Sequence, residues 1–265
     1  MELFHITQPT ATKVPIILSV PHAGTYFPEE IATRLHSDKV QNPDDTDWYI
    51  DKLYDFAPSL GITVIKANYS RWVIDLNRDP ESKPLYTDGR VITGLVPLTN
   101  FNGEPLYQSG EPDEHEIAER VHKYYIEYHE QIEKLLEQTK TEFGKALLFD
   151  AHSIRKVVPG IQEEAFPDLI LGDNDGKSAS EEIINTAWEA LQNDRFKAEH
   201  NHPFKGGQIT RSFGKPESNI HALQLEMAKT NYMDASETKY DEQNAAQIRQ
   251  ILKTVFEQLI KTLQA

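Results

Sequence analysis

The residues best suited to chemistry fall in four short polar groups, each beside an apolar run. The stretch Tyr69-Ser-Arg-Trp-Val-Ile-Asp-Leu-Asn-Arg-Asp-Pro80 sets Arg71 and Arg78 on either side of an apolar segment, residues 72–76, that reads as a strand. A guanidinium beside a buried strand needs a partner. Its planar fork is suited to gripping a carboxylate by two parallel hydrogen bonds. Pro21-His22-Ala23-Gly24 follows the apolar residues 16–20, Asp150-Ala-His152-Ser153 follows residues 146–149, and Glu226 ends the run 221–225. In open α/β sheets, ligands bind outside the carboxyl ends of the strands. Two histidines, a glutamate and two arginines are therefore expected to converge on one crevice.

Each residue has a functional and a plain reading. His22 is a metal ligand or catalytic base, or a turn histidine before Gly24. Asp150 orients His152, or simply finishes the strand. Asp44, Asp45 and Asp47 precede a helix expected over residues 48–60, and one of them is an N-cap. Asp47 is also a candidate third metal ligand, because catalytic zinc sites combine three His or carboxylate ligands with an open position for water. Glu226 is a base for activating a water, or half of a buried ion pair. The segment Lys205-Gly-Gly-Gln-Ile-Thr-Arg211 closes over a ligand through Gly207, Thr210 and Arg211, or is a surface turn.

Other features read as plain structure. His115, His122 and His129 recur every seven residues. That spacing leaves them roughly 10 Å apart on a solvated helix face. Asp173-Asn-Asp-Gly176 lacks the ligand spacing of a calcium loop and reads as a turn. His200 and His202 belong to a polar loop. The chain has no phosphate loop, no dinucleotide glycine fingerprint and no Gly-x-Ser-x-Gly elbow.

The elements that must position these residues alternate. Strands are expected at 15–20, 62–65, 146–149 and 168–171. Helices are expected at 48–60, 111–143, from Ser178 or Ser180 to about Gln192, and from about Ala235 to Leu263. Residues 77–110 and 201–215 read as loops. This order predicts one α/β domain over residues 1–265, with a largely parallel sheet and helices on both faces. A net charge of −15 argues against nucleic acid as a partner. The absence of cysteine excludes disulfides and thiol catalysis and leaves His, Asp and Glu as metal ligands. No run approaches the ~20 apolar residues of a membrane span, and the first ten residues lack a basic start. A cytoplasmic enzyme with no membrane partner is expected.

Taken together, the motifs resemble the N-formylglutamate amidohydrolase (deformylase) family over nearly the whole chain. They are Ser19-Val-Pro-His-Ala-Gly24, Asp45-Thr-Asp-Trp48, Tyr69-Ser-Arg-Trp-Val-Ile-Asp-Leu-Asn-Arg78, Lys83-Pro-Leu-Tyr86, Phe149-Asp-Ala-His-Ser-Ile-Arg155, Phe204-Lys-Gly-Gly-Gln-Ile-Thr-Arg211 and Ile220-His-Ala-Leu-Gln-Leu-Glu-Met227. The family is similar in fold to zinc carboxypeptidases and aspartoacylase, which implies a mixed, mostly parallel sheet of about eight strands. One departure is plain. Zinc carboxypeptidases carry a glutamate three residues after the first histidine, and here that residue is Thr25. Asp47 is the expected substitute, with Asp45 second.

The resemblance implies hydrolysis of N-formyl-L-glutamate to formate and L-glutamate, the last step of one histidine-degradation route. Two substrate carboxylates call for arginines. A poorly electrophilic formamide calls for a Lewis acid and an activated water. On this reading His22, Asp47 and His152 hold zinc, Glu226 is the base, and Arg71 stabilises the oxyanion. Asn77, Arg78 and Arg211 hold the carboxylates. The alternatives are an amidohydrolase for another N-acyl acidic amino acid and a metal-free dicarboxylate-binding protein.

Overall fold

The computed structural model describes residues 1–81, 83 and 93–265. Its strands in chain order are β1 (Phe4–Thr7), β2 (Ile16–Val20), β3 (Thr63–Ala67), β4 (Ala146–Ile154), β5 (Leu169–Gly172), β6 (Ala198–His200) and β7 (Ile220–Ala228). Among the described residues they form one seven-stranded sheet in the order β1-β3-β2-β4-β7-β5-β6. β1 runs antiparallel to β3 and β5 antiparallel to β7, while the other neighbours are parallel. β2 and β4 are buried along their whole length, as parallel strands covered on both faces must be.

The helices are α1 (Glu29–Ala32), α2 (Ser37–Gln41), α3 (Ile50–Leu53), α4 (Glu114–Arg120), α5 (Glu127–Phe143), α6 (Glu181–Leu191), α7 (Gln208–Phe213) and α8 (Glu242–Gln264). One face of the sheet packs Leu147, Phe149, Leu223 and Leu225 against α6 and α8 through Ile183, Ala187, Leu252 and Phe256. The opposite face packs Ala146, Leu148 and Ala222 against α5 and α7 through Tyr128, Ile132, Leu136 and Ile209. Successive strand side chains alternate between faces. Asp150 and His152 therefore continue the row of Ala146 and Leu148, and Gln224 and Glu226 continue that of Ala222. In register, Asp150 pairs with Gln224 and His152 with Glu226. No described helix is long and apolar enough to cross a membrane.

The mixed α/β architecture agrees with expectation, but several elements differ. Residues 72–76 are a buried loop rather than a strand. Their polar backbone is satisfied by distant partners: Asp75 N–H donates to Leu95 O, and Val73 O accepts from Arg120. An apolar run reports burial, not pairing. β4 and β7 extend to Ile154 and Ala228, so His152 and Glu226 lie inside strands rather than after them. The helix expected over 48–60 reduces to α3 and a 3-10 turn, Ala57–Leu60. Tyr49 has a left-handed φ of 61° before it, and Pro58 has no N–H to continue it. The 201–215 loop contains α7. The last helix starts at Glu242, where the Asp241 carboxylate accepts from the N–H groups of Gln243 and Asn244. Among the described residues seven strands stand where about eight are expected, and the short edge strands β1 and β6 are not anticipated by the sequence. The expected 111–143 helix begins at Glu114 and contains a π segment, Val121–Ile126. His129 on this helix is not solvated. It stacks on Tyr125 at 4.0 Å, contacts Leu76 O at 2.8 Å, and burial pushes its pKa down to about 4.

Candidate metal centre and active site

The central parallel strands β2, β4 and β7 carry the site at their carboxyl ends. His22 follows β2, and its ring lies 4.8 Å from that of His152 on β4. Asp47 is brought to them by a backbone bond, its N–H donating to His22 O at 3.0 Å. Its Oδ2 is 3.3 Å from His152 Nδ1 and 3.9 Å from His22 Nδ1, and accepts from Ser153 N–H at 3.2 Å. His22, Asp47 and His152 are all buried, and ligand atoms from the three lie within 4.8 Å of one another. Such a group can hold a metal ion.

The other ring nitrogens are already committed. His22 Nε2 meets Asp75 Oδ1 at 2.8 Å, and His152 Nε2 meets Asp150 Oδ2 at 2.7 Å. Carboxylates behind histidines are the usual way to fix a tautomer and aim the remaining nitrogen at a metal. The atoms left over are those a cation would satisfy: buried His22 Nδ1 and Asp47 Oδ1 have no hydrogen-bond partner. A His₂-carboxylate donor set fits zinc. Asp45, the second choice for third ligand, is employed elsewhere. Its carboxylate accepts from Trp72 Nε1 at 3.0 Å and from Phe101 N–H at 3.0 and 3.2 Å.

Asp75 is the partner that the sequence reading demanded for the arginines but did not name. Its Oδ2 accepts from Arg71 at 2.7 Å and lies 3.8 Å from Arg78, while its Oδ1 takes Asn77 N–H as well as His22. An acid four residues after Arg71 and three before Arg78 was the available signal. Burial alone would raise the Asp75 pKa, but the two guanidiniums outweigh it and hold it well below the usual carboxylate value. Burial also lowers His22, helped by Arg71. On His152 burial acts the same way, but the Asp150 carboxylate outweighs it and favours a positive charge there. Glu226, half-buried on β7, is pushed up to about 8 by desolvation, partly offset by His152.

These groups line a cavity of about 690 Å³, including its open mouth. His22, Asp47, Arg71, Asn77, Arg78, His152, Gly207 and Glu226 all line it, as do Thr93, Phe101, Phe204 and Gln224, which sequence reasoning missed. Arg71 reaches to 4.0 Å from Asp47 and lies under the Phe101 ring at 4.7 Å. Arg78 donates to Thr93 O at 3.0 Å. The Asn77 amide, expected on a substrate carboxylate, is engaged at both ends within the protein. Nδ2 reaches Asp150 and Gln224, and Oδ1 accepts from Ile209 N–H at 2.8 Å. Gly207 N–H donates to Gln224 at 2.8 Å. Only glycine fits there, since an added Cβ would lie 2.4 Å from the Asn77 amide. Thr210 and Arg211 are not among the described residues that line the cavity. Thr210 is fully buried, and Arg211 Nε donates to Gly206 O at 2.9 Å. In the Lys83-Pro-Leu-Tyr86 motif, residues 84–86 lie outside the described residues. The plain readings of Asp173–Gly176 as a turn and of His115 and His122 as surface residues agree with the structure.

Residues 14–233 match the N-formylglutamate amidohydrolase family. An N-formylglutamate deformylase of Pseudomonas aeruginosa is 40% identical over 251 residues, covering 92% of this chain and 93% of that protein. An N-formylglutamate deformylase of Pseudomonas putida is 38% identical over 256 residues, covering 96% and 93%. In structure, an N-formylglutamate amidohydrolase from Ralstonia eutropha superposes with a TM-score of 0.80 at 22% identity, over 100% of this chain and 98% of that one. A gene product of Agrobacterium tumefaciens gives 0.77 at 16% identity, over 100% and 97%. These two establish the likeness of fold.

Proposed function

This chain belongs to the N-formylglutamate amidohydrolase family, and on that footing we propose that it hydrolyses N-formyl-L-glutamate to formate and L-glutamate. The observation that carries the reading is the convergence of His22, Asp47 and His152 on one point, with Glu226 and Arg71 lining the same cavity. Zinc held by those three residues would act as a Lewis acid on the formyl oxygen and would lower the pKa of a bound water. Glu226 takes a proton from the attacking water and delivers it to the amine nitrogen as the C–N bond breaks. That role needs an ionised Glu226; desolvation pushes its pKa up to about 8, and a cation held by His22, Asp47 and His152 would lower it. Arg71, buried beside Asp47, stabilises the oxyanion, which carries more negative charge than the starting amide.

Arg78, which lines the cavity together with Gly207, takes one substrate carboxylate; Thr210 and Arg211 lie outside that lining and are given no contact with the substrate. Asn77 contributes by holding the Gly207–Ile209 turn against Asp150. The proposal includes action as one catalytic domain over residues 1–265, in the cytoplasm, at the end of a histidine-degradation route. It is tested by metal analysis and formate release with the purified protein. About one zinc per chain and metal-dependent formate release are expected. Full turnover in metal-free protein would refute the zinc assignment, and no formate from N-formyl-L-glutamate would refute the substrate.

A further inference from the structure

Among the described residues, the apolar side of the cavity is built from Phe101, Ile154, Ile161 and Phe204. It belongs to a small separate core in which Ile154, Val158 and Phe166 pack against Phe101, Ile161 and Phe204. Phe101 reaches toward the metal-ligand group through Arg71: its ring covers Arg71, whose guanidinium is 4.0 Å from Asp47. Its backbone is pinned on both sides. The N–H is held by both oxygens of Asp45, which also accepts from Trp72 Nε1. The C=O lies against Gly160, where an added Cβ would come within 2.3 Å of it. The backbone that carries this ring cannot draw back from a larger ligand without breaking the hydrogen bonds to Asp45.

We propose that Phe101 is a specificity-determining residue that limits the acyl group to formyl, and that Asp45 is the positioning residue that holds it in place. The inference rests on the proposed reaction, with the substrate carbonyl between Arg71 and the His22, Asp47, His152 group. An acetyl or larger group would place its first methyl against the Phe101 ring. One methyl or methylene in a closed apolar pocket is typically worth about 10–200-fold in discrimination.

The test compares kcat/KM for N-formyl-, N-acetyl- and N-propionyl-L-glutamate. Phe101→Ala is expected to lower the formyl-to-acetyl ratio by about tenfold or more, within that range, with bound zinc unchanged. Phe101→Leu, a milder change should the alanine variant fold poorly, is expected to shift the ratio in the same direction. Asp45→Asn, which keeps an oxygen for Trp72 and Phe101 but loses the second acceptor on the Phe101 N–H and the carboxylate charge, is expected to produce a smaller shift of the same sign without loss of zinc. An unchanged ratio in the Phe101 variants would overturn the steric assignment. Loss of zinc with an unchanged ratio in Asp45→Asn would overturn the positioning role. Failure of the wild type to hydrolyse N-formyl-L-glutamate would instead overturn the reaction itself, and it is read without any variant.

Discussion

Replacing Asp75 by Asn should disable metal binding and the arginines together, since one buried carboxylate serves all of them. Asp75 is fully buried and accepts from His22, Arg71 and Asn77 N–H, with Arg78 3.8 Å away. The amide keeps the shape but turns one acceptor into a donor. It then faces either the His22 ring N–H or the Arg71 guanidinium. Loss of a carboxylate behind a metal-binding histidine typically lowers metal affinity or activity by about 10–100-fold. Leaving a buried charge without its partner costs about 3–5 kcal/mol. Arg71 retains Asp47 at 4.0 Å and a bond to Asp45 O, so the lower end, about 3 kcal/mol, is the expectation. Zinc affinity is measured by competition with a chelator, and stability by urea unfolding of metal-free protein. The second measurement separates the ion-pair effect from metal linkage. A variant with wild-type zinc affinity, and stability within about 0.5 kcal/mol of wild type, the range of an ordinary surface change, would refute the argument that Asp75 organises the site.

Glu226→Gln should keep fold and zinc content but lose about 10²–10⁴-fold in kcat, the usual contribution of a general base; half the wild-type turnover would make Glu226 structural. N-formyl-L-glutamine should be a much poorer substrate than N-formyl-L-glutamate, and Arg78→Lys should narrow the gap, because an ammonium cannot make the bidentate contact; equal kcat/KM for both substrates in the wild type would end the clamp idea. Glu116→Gln tests a network away from the candidate metal centre, since Glu116 pairs with Arg34 and with Arg120, which holds Val73 O at 2.9 Å. The Arg34 hydrogen bond depresses the Glu116 pKa against a smaller desolvation effect, and Arg120 adds to the depression. Its contribution is therefore full above the ordinary carboxylate value of ~4.3 and is lost as pH falls through the folded-state pKa. The variant should have a lower Tm than wild type at pH 7, with the difference closing below pH ~4; a difference independent of pH would exclude the ion pair as its cause.

The sequence by itself determined the class of fold and the types of residue at the site. Alternating apolar runs and helical periods are local signals, and they give an α/β sheet with helices on both faces. Polar residues directly after buried runs, such as His22 and Asp150-Ala-His152, are legible because a strand buried on both faces leaves few other places for them. The sequence could not say how far a strand runs once its residues become polar, so β4 and β7 were ended too early. Only the register between them sets His152 beside Glu226. Nor could it separate Asp45 from Asp47, two residues apart and equal in chemistry. That choice rests on which carboxylate faces the imidazoles and which is taken by Trp72 and Phe101. The role of Asp75 is of the same kind. Its partners include one 53 residues away, and a charge buried among distant partners leaves no periodic mark on the chain. Tertiary structure decided these points because hydrogen bonds and Coulomb interactions depend on distances that only the folded chain sets.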